Sequence, residues 1–454
     1  MAELRDSIDF GKEDIPSLFK RMLLPTLFGM VFSAMFFITD GIFVGRGVGS
    51  NALAAVNFVS PLTLISVGLG LMYGIGSSIV CSIHLASQKL KVARINMTQA
   101  TVISSLVLVL ISSFVLIYPE TVLGIFGCDD PNLLALSTEY IRGYGWFMTF
   151  NGFIITGGFF VRLNGAPRYA MMCSIVSALL NILLDYVFIF PLGMGIFGAA
   201  LATGIGTTVG VAMMIIFLLN KKRTVHLVPL KITKKSLALT ARNIGYMSKL
   251  GISSFLGHFS IAIMIVSGNM VFLRLMGADG VAAYSVIGYI SPLVFTLYNA
   301  IAQSAQPILS YNFGAGDLGR VRKTLRVAMG TAVVYATVAM ILIFIFNPWI
   351  ISLFIAPGSN AYDLAVDGFP FYAMVLIPCA VNIIAISYFQ SVKQATNATI
   401  ITIMRGYVLM VGCYAVVPRL LGNTGAWLST PLAETITMCI VILLFVLNAR
   451  RSRS

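Results

Sequence analysis

Charge is what this sequence has least of. Only 46 of its 454 residues are Asp, Glu, Lys or Arg, a share of 10%, against roughly 25% in soluble domains. So few charges cannot cover a water-facing surface on a chain this long, which excludes a soluble multidomain enzyme. Disorder, collagen and coiled coil fail as well, because hydrophobic residues reach 58% and mean hydropathy is +0.93. Histidine is scarce: His84, His226 and His258 are scattered and make no HExxH motif or cluster. The six cysteines show no CxxC spacing, so neither a metal centre nor a disulfide framework is expected. All but Cys128 fall in apolar runs and read as packing residues. His258 reads the same way, as a satisfied packing histidine. There is no GxxxxGK[ST] phosphate loop and no soluble segment long enough for a nucleotide-binding domain, so ATP is not the direct energy source. Nor is there room for a basic, aromatic-interleaved domain, and no nucleic-acid partner is expected. What remains is an all-α integral membrane protein, not an enzyme.

A helix needs about 20 mostly apolar residues to cross hydrocarbon. Windows free of charge run 47–88, 95–119, 143–161, 186–220, 250–273, 280–316, 327–362 and 368–392. Four more carry one charge each: 22–45 (Asp40), 169–190 (Asp185), 394–418 (Arg405) and 420–449 (Glu434). The pattern predicts twelve transmembrane helices, with Pro191-Leu-Gly-Met-Gly turning the chain between 169–190 and 186–220. The longest windows must project or end in loops. Pro61 and Pro292 sit early in theirs, which favours kinked, over-long helices over hairpins. Continuous apolar runs without period-2 alternation exclude a barrel.

With the N-terminus inside, 25 of the 30 basic residues fall in cytoplasmic segments, eight of them in 221–249. The other side carries Glu120, Asp129, Asp130, Glu139, Asp279, Asp363 and Asp367. The positive-inside rule then places both termini in the cytoplasm, and the even span count agrees. The net charge of +14 is a topology signal. Glu3, Asp6, Asp9, Glu13 and Asp14 give the first residues the wrong charge for a cleavable leader.

The chain repeats itself. Gly49-Ser-Asn-Ala-Leu-Ala-Ala, ending in Ser60-Pro61-Leu62, recurs as Gly277-Ala-Asp-Gly-Val-Ala-Ala, ending in Ser291-Pro292-Leu293, at offsets of 228 and 231. Phe197-Gly-Ala-Ala-Leu-Ala-Thr203 recurs as Thr424-Gly-Ala-Trp-Leu-Ser-Thr430, at offset 227. Residues 1–220 are expected to form an N-terminal six-helix lobe, 221–243 a cytoplasmic basic linker, and 244–454 a C-terminal six-helix lobe. Six spans per copy make the repeats parallel, about an axis along the membrane normal. Two such pseudo-symmetric lobes suit a secondary transporter.

A carboxylate near the bilayer centre costs about 2.5–3.5 kcal/mol on insertion scales, so it faces a cavity or a partner. Asp40 and Asp185 both fall in the outer half of the first lobe. Asn181 precedes Asp185 by four residues, which puts both on one helix face, and Thr203 adds an oxygen. Together these offer a cation-coupling site for a proton or for Na⁺, with Asp40, Asn181 and Asp185 as the Na⁺ ligands. The alternative leaves Asp40 among headgroups and Asp185 capping a loop. Positions 408–414 of the second lobe lack the pattern. Arg405 and Glu434 read as an intramembrane ion pair that fixes packing. Pro25, fifteen residues before Asp40, predicts a helix kink, either static or bending with protonation.

Ala302-Gln303-Ser-Ala-Gln306-Pro307-Ile-Leu-Ser-Tyr311-Asn312-Phe-Gly314-Ala-Gly316 resembles a signature of multidrug and toxic compound extrusion (MATE) transporters. Asp40-Gly-Ile-Phe-Val-Gly45-Arg46, Arg162-Leu-Asn-Gly165, Asn181-Ile-Leu-Leu-Asp185-Tyr, Gly198-Ala-Ala-Leu-Ala-Thr203 and Gly425-Ala-Trp427-Leu-Ser-Thr-Pro431-Leu-Ala-Glu434 look like the family's other motifs. The likeness runs from about residue 15 to 445 and departs at Gly165-Ala-Pro-Arg, where the family often has an acidic residue. It implies a V-shaped pair of six-helix bundles in the inner (plasma) membrane of a prokaryote. It also implies antiport of amphipathic and cationic organic compounds against H⁺ or Na⁺ by alternating access. Carboxylates in the first lobe resemble the DinF-like branch; Ser254-Phe-Leu-Gly-His258 lacks the acid of the other branch. Gln303 and Gln306 are candidates for lining the substrate cavity. Expected partners are small organic substrates and membrane lipids, the chain acts as a monomer, and no cofactor beyond the coupling ion is needed. The rival reading is a lipid-linked oligosaccharide flippase, which would want a basic cavity for pyrophosphate; three intramembrane acids to one base disfavour it.

Overall fold

In hydrocarbon a backbone N–H without a partner has no water to fall back on, so each apolar run must close its own hydrogen bonds as a helix. The computed structural model of the chain describes residues 8–451 except Asp129, so Glu3, Asp6, Asp129 and Arg453 lie outside the described residues. The first half is α1 (Ile15–Gly47), α2 (Ser50–Ala86), α3 (Leu90–Ile117), a short α4 (Pro119–Ile125), α5 (Pro131–Tyr144), α6 (Met148–Leu163), α7 (Pro167–Ile189) and α8 (Gly195–Leu219). The second is α9 (Lys234–Gly314), α10 (Leu318–Ser352), α11 (Asn360–Ala373), α12 (Leu376–Ser391), α13 (Ala395–Ile403) and α14 (Leu409–Arg451). Eight helical runs among the described residues are long and apolar enough to cross a bilayer. Two of them, α9 and the run from Ala395, break at Gly277 and Gly422 and supply two spans each. The α11–α12 pair, bent by 44°, and α5–α6, joined by a single 3-10 turn, complete the expected twelve. As the early prolines suggested, 50–86 is one long helix and not a hairpin. Pro25 sits inside an uninterrupted α1.

The duplication is written in the backbone. Left-handed φ values occur at Gly49 (122°) and Gly277 (65°), at Gln88 (59°) and Gly316 (79°), and at Gly165 (75°) and Lys393 (63°), every pair at the same offset of 228. Gly195 and Gly422 (both 57°) pair at offset 227, and Gly127 (80°) and Gly358 (86°) at offset 231. The turns that start and stop helices therefore recur even where side chains have diverged.

The chain folds as two compact units, Met1–Phe255 with Ser310–Asp317, and Leu256–Leu309 with Leu318–Ser454. The end of α9 joins the first unit through the N-terminal segment: Asn312 Nδ2 donates to the Phe10 carbonyl at 3.1 Å, and the Phe10 and Tyr311 rings lie 5.9 Å apart. Within that unit α2 and α9 touch through glycines. A Cβ on Gly76 would strike the Met247 carbonyl, and one on Gly251 the Met72 carbonyl.

In the second unit the expected ion pair is present. Arg405 Nε donates to Glu434 Oε1 at 2.7 Å, and Asn382 Nδ2 donates to Glu434 Oε2 at 2.7 Å and to the Glu434 carbonyl at 2.9 Å. Arg405 also reaches Cys379 Sγ at 3.1 Å. It stands on a π-turn, Met404–Val408, that links α13 to α14. Two packing expectations are corrected. His258 is half-buried and its Nε2 has no hydrogen-bond partner. Cys439 is exposed, on the outward face of α14, where a small apolar side chain suits lipid.

These contacts carry measurable stability costs. Glu434→Gln strands the Arg405 guanidinium and lowers unfolding stability in detergent by about 3–5 kcal/mol, whereas Arg405→Met with Glu434→Met costs much less. Gly277→Ala meets open space, so its whole cost is backbone strain at φ 65°, ψ −154°. Thermal melts should register that cost as about 1–3 kcal/mol.

Candidate functional site

Four helices of the first unit bring polar groups to one place. α7 packs along both α1 and α8, and α5 packs on α8. The approach of α8 to α7 depends on small residues: a Cβ on Gly206 would meet the Ser177 carbonyl at 2.8 Å and Asn181 Cβ at 3.0 Å, and one on Gly210 the Cys173 carbonyl at 3.0 Å. Gly206 and Gly210, four apart on α8, thus let it lie against the Cys173, Ser177 and Asn181 face of α7. That close approach puts Thr203, one turn before Gly206, beside Asn181, whose Nδ2 donates to Thr203 Oγ1 at 3.3 Å.

All four expected residues meet here, and all are buried: Asp185 at 0% exposure, Asn181 at 2%, Asp40 at 8% and Thr203 at 9%. The Asp40 carboxyl faces Asp185 and Thr203, and Asp185 faces Asn181. Asp40 is thus buried among protein groups, beside Asp185 and Thr203. A fifth residue joins them that the apolar pattern does not announce. The buried phenol of Tyr140, on α5, faces Thr203 and both carboxyls. Its segment falls between uncharged windows, since Glu139 and Arg142 flank it, so no apolar run marks the position. The available signal was the i, i+4 pair Tyr140 and Tyr144, whose rings lie 5.8 Å apart.

The oxygens outnumber the donors. Asp40 Oδ1, both Asp185 carboxyl oxygens and Asn181 Oδ1 are buried without a hydrogen-bond partner. The cluster also lies one helical turn below an apolar layer. Val44 follows Asp40 by four residues, Ile189 follows Asp185 by four, and Ala199 precedes Thr203 by four; all three belong to a buried cluster with Leu123, Ile141 and Met148. Packing at that end is tight: a Cβ on Gly47 would strike Ile189, and the Phe43 and Phe190 rings meet edge to face at 5.9 Å. Unpaired acceptors in an apolar enclosure call for a positive guest, either a proton or a hard cation with oxygen preference. No group of three or more His, Cys, Asp or Glu that could hold a metal ion occurs among the described residues. Two carboxyls, an amide and hydroxyls are oxygen groups of the kind that protons and hard cations use.

The second unit holds a counterpart that has been filled in. At the repeat offset of 228, Asp40 and Tyr140 correspond to Gly268 and Gly368, and a Cβ on either would collide with the ring of Tyr284 or of Trp427 respectively. Asp185 corresponds to Cys413, and Thr203 to Thr430 at offset 227. The Tyr284 hydroxyl donates to the Met264 carbonyl at 3.1 Å and lies 3.2 Å from the Tyr414 hydroxyl, itself 3.0 Å from Thr430 Oγ1. Aromatic rings and a hydroxyl chain thus stand where the first unit keeps carboxylates. Gln303 and Gln306, on α9, are buried and each engages a neighbour.

Comparison with known proteins agrees with this architecture. Over 446 residues the chain is 25% identical to the multidrug export protein MepA of Staphylococcus saprophyticus, covering 96% of this chain and 95% of that one. MepA of Staphylococcus aureus strain MSSA476 is 23% identical over 440 residues, with the same coverage. Among solved structures, an outward-facing multidrug resistance MATE family transporter of the MOP superfamily superposes with a TM-score of 0.89 at 21% identity, covering 98% of both chains. A MOP superfamily transporter from Pyrococcus furiosus, described by the reverse polarity of its binding pocket, gives 0.88 at 20% identity, again over 98% of both. These neighbours share the fold, and with it a multi-pass membrane architecture. The MatE family model matches residues 25–187 and 253–415, two stretches whose starting points are separated by the repeat offset itself. The chain belongs to the MatE family.

Proposed function

We propose that this chain exports amphipathic and cationic organic compounds in exchange for an inward-moving proton or Na⁺ bound at Asp40, Asn181, Asp185 and Thr203, with Tyr140 at its edge. The observation that carries the reading is the set of buried acceptor oxygens without donors at Asp40, Asn181 and Asp185. Empty, the cluster holds charge that nothing neutralises. A bound cation offsets one of the two carboxylate charges and lowers the cost of keeping the cluster packed and dry. A guest shifts a conformational equilibrium only by its differential affinity for the two states, and a site whose enclosure depends on helix packing has that difference built in. An organic cation that draws on the same carboxyls competes with the coupling ion, which is the linkage antiport requires. The export activity named for the MepA relatives supports the substrate class. A cluster of unpaired buried carboxylates in the first lobe, against a paired Glu434 in the second, supports the DinF-like assignment. Gln303 and Gln306 serve as polar liners for substrate, and Pro25 as the bend point of α1. Basic loops on one side support an orientation with both termini in the cytoplasm of a prokaryote.

The test is drug efflux from everted vesicles with pH and Na⁺ gradients imposed separately. Wild type responds to one gradient, and Asp40→Asn and Asp185→Asn each lose at least nine-tenths of gradient-driven transport while still reaching the membrane. Unchanged transport in both variants rejects the coupling site. Translocation of a pyrophosphate-linked lipid without drug efflux rejects the substrate class and favours a flippase.

A further inference from the structure

The segment between the two repeats presents a surface of one sign. Residues 221–249 hold eight Lys and Arg and no Asp or Glu. The segment is held firmly. Asn164 grips Val225 through its N–H at 2.8 Å and its carbonyl at 2.9 Å. Arg94 Nε donates to the Thr224 carbonyl at 3.0 Å, and the Val228 N–H donates to Thr98 Oγ1 at 3.1 Å. Thr233 then caps α9 by accepting from the Ser236 N–H at 3.2 Å.

The first turns of α9 are pinned to α3. Gln99 Nε2 donates to Thr240 Oγ1 at 2.8 Å, and Asn243 Nδ2 donates to Asn96 Oδ1 at 3.2 Å and Gln99 Oε1 at 3.1 Å. Gln99 lies five residues past Arg94, the last charge before the apolar run of α3, hence ~7.5 Å along its axis. These bonds therefore hold Thr240 and Asn243 at the rim of the bilayer, not out in water. The face turned inward reads Ser236, Thr240, Asn243, Met247 and Leu250, at helical spacing. The outer face exposes Lys234, Lys235, Leu239, Arg242 and Tyr246, and Ile232 just ahead of it is 85% exposed. No carboxylate pairs with Lys234, Lys235 or Arg242 among the described residues.

We propose that Lys234, Lys235 and Arg242 form a headgroup site for an anionic phospholipid of the inner leaflet, with Ile232, Leu239 and Tyr246 seated at its acyl margin. A basic face edged by apolar side chains at membrane depth matches that ligand in charge and in layering. A soluble acidic partner would leave Ile232 and Leu239 unsatisfied. The site adopts the orientation given by the positive-inside rule and does not depend on what the protein transports.

The full chain is reconstituted in nanodiscs of phosphatidylcholine, alone or with one quarter phosphatidylglycerol, and read by thermal melting and by native mass spectrometry for retained lipid. Wild type gains several degrees from phosphatidylglycerol and retains it on ejection. Lys234→Gln with Lys235→Gln and Arg242→Gln loses most of the gain and the retained lipid. Leu239→Ser loses part of both. A control with the same charge loss on the same side, Lys12→Gln with Lys20→Gln and Arg326→Gln, keeps both. Equal loss in the control, an unchanged gain in the triple variant, or an equal gain from inorganic phosphate in detergent overturns the proposal.

Discussion

Everything in this structure is arranged around one imbalance: two carboxyls and an amide oxygen sit beneath an apolar layer with fewer donors than acceptors to answer them. Burial makes an unpaired acceptor costly, and more so when it carries charge. The cluster persists because α1, α5, α7 and α8 are packed tightly on all sides of it, and that packing rests on Gly206 and Gly210 letting α8 lie against α7. The apolar turn of Val44, Ile189 and Ala199 closes one end. Under the proposed function, this unpaired cluster is where a coupling cation would bind.

The second lobe shows what the same fold looks like once that imbalance is removed. Its buried acid, Glu434, is paired with Arg405 and bonded to Asn382, so its charge is answered from within the protein. Tyr284 and Trp427 occupy the space that glycines leave at the positions matching Asp40 and Tyr140. The second lobe pairs its buried acid and fills the matching space with rings; the first lobe leaves acceptor oxygens unpaired. Duplication supplied two frames, and divergence of a few side chains gave their matching interiors different chemistry.

Much of this was legible in the sequence because a bilayer imposes simple rules. Twelve spans, the Arg405–Glu434 pair and the Asp40–Asp185 site follow from where charge is tolerated, the doubling from recurring motifs, and Asn181 from its helical spacing to Asp185. Tyr140 was hard to read from the sequence, since Glu139 and Arg142 flank it and no apolar run marks its place. The aromatic filling of the second lobe was hidden for a different reason. It depends on which ring enters the gap beside Gly268 or Gly368, a matter of three-dimensional approach and not of pattern. The π-turn under Arg405 was equally silent, because one added residue in a helix does not disturb an apolar run.

The most direct test of the central claim is to watch the ion leave as substrate arrives. Purified protein in weakly buffered detergent is titrated with a cationic drug while released protons and Na⁺ are recorded with a pH dye and a Na⁺ electrode. Wild type should release one of the two in proportion to bound drug, and Asp185→Asn should bind drug with little or no release. Release from Asp185→Asn equal to that of wild type would contradict the account.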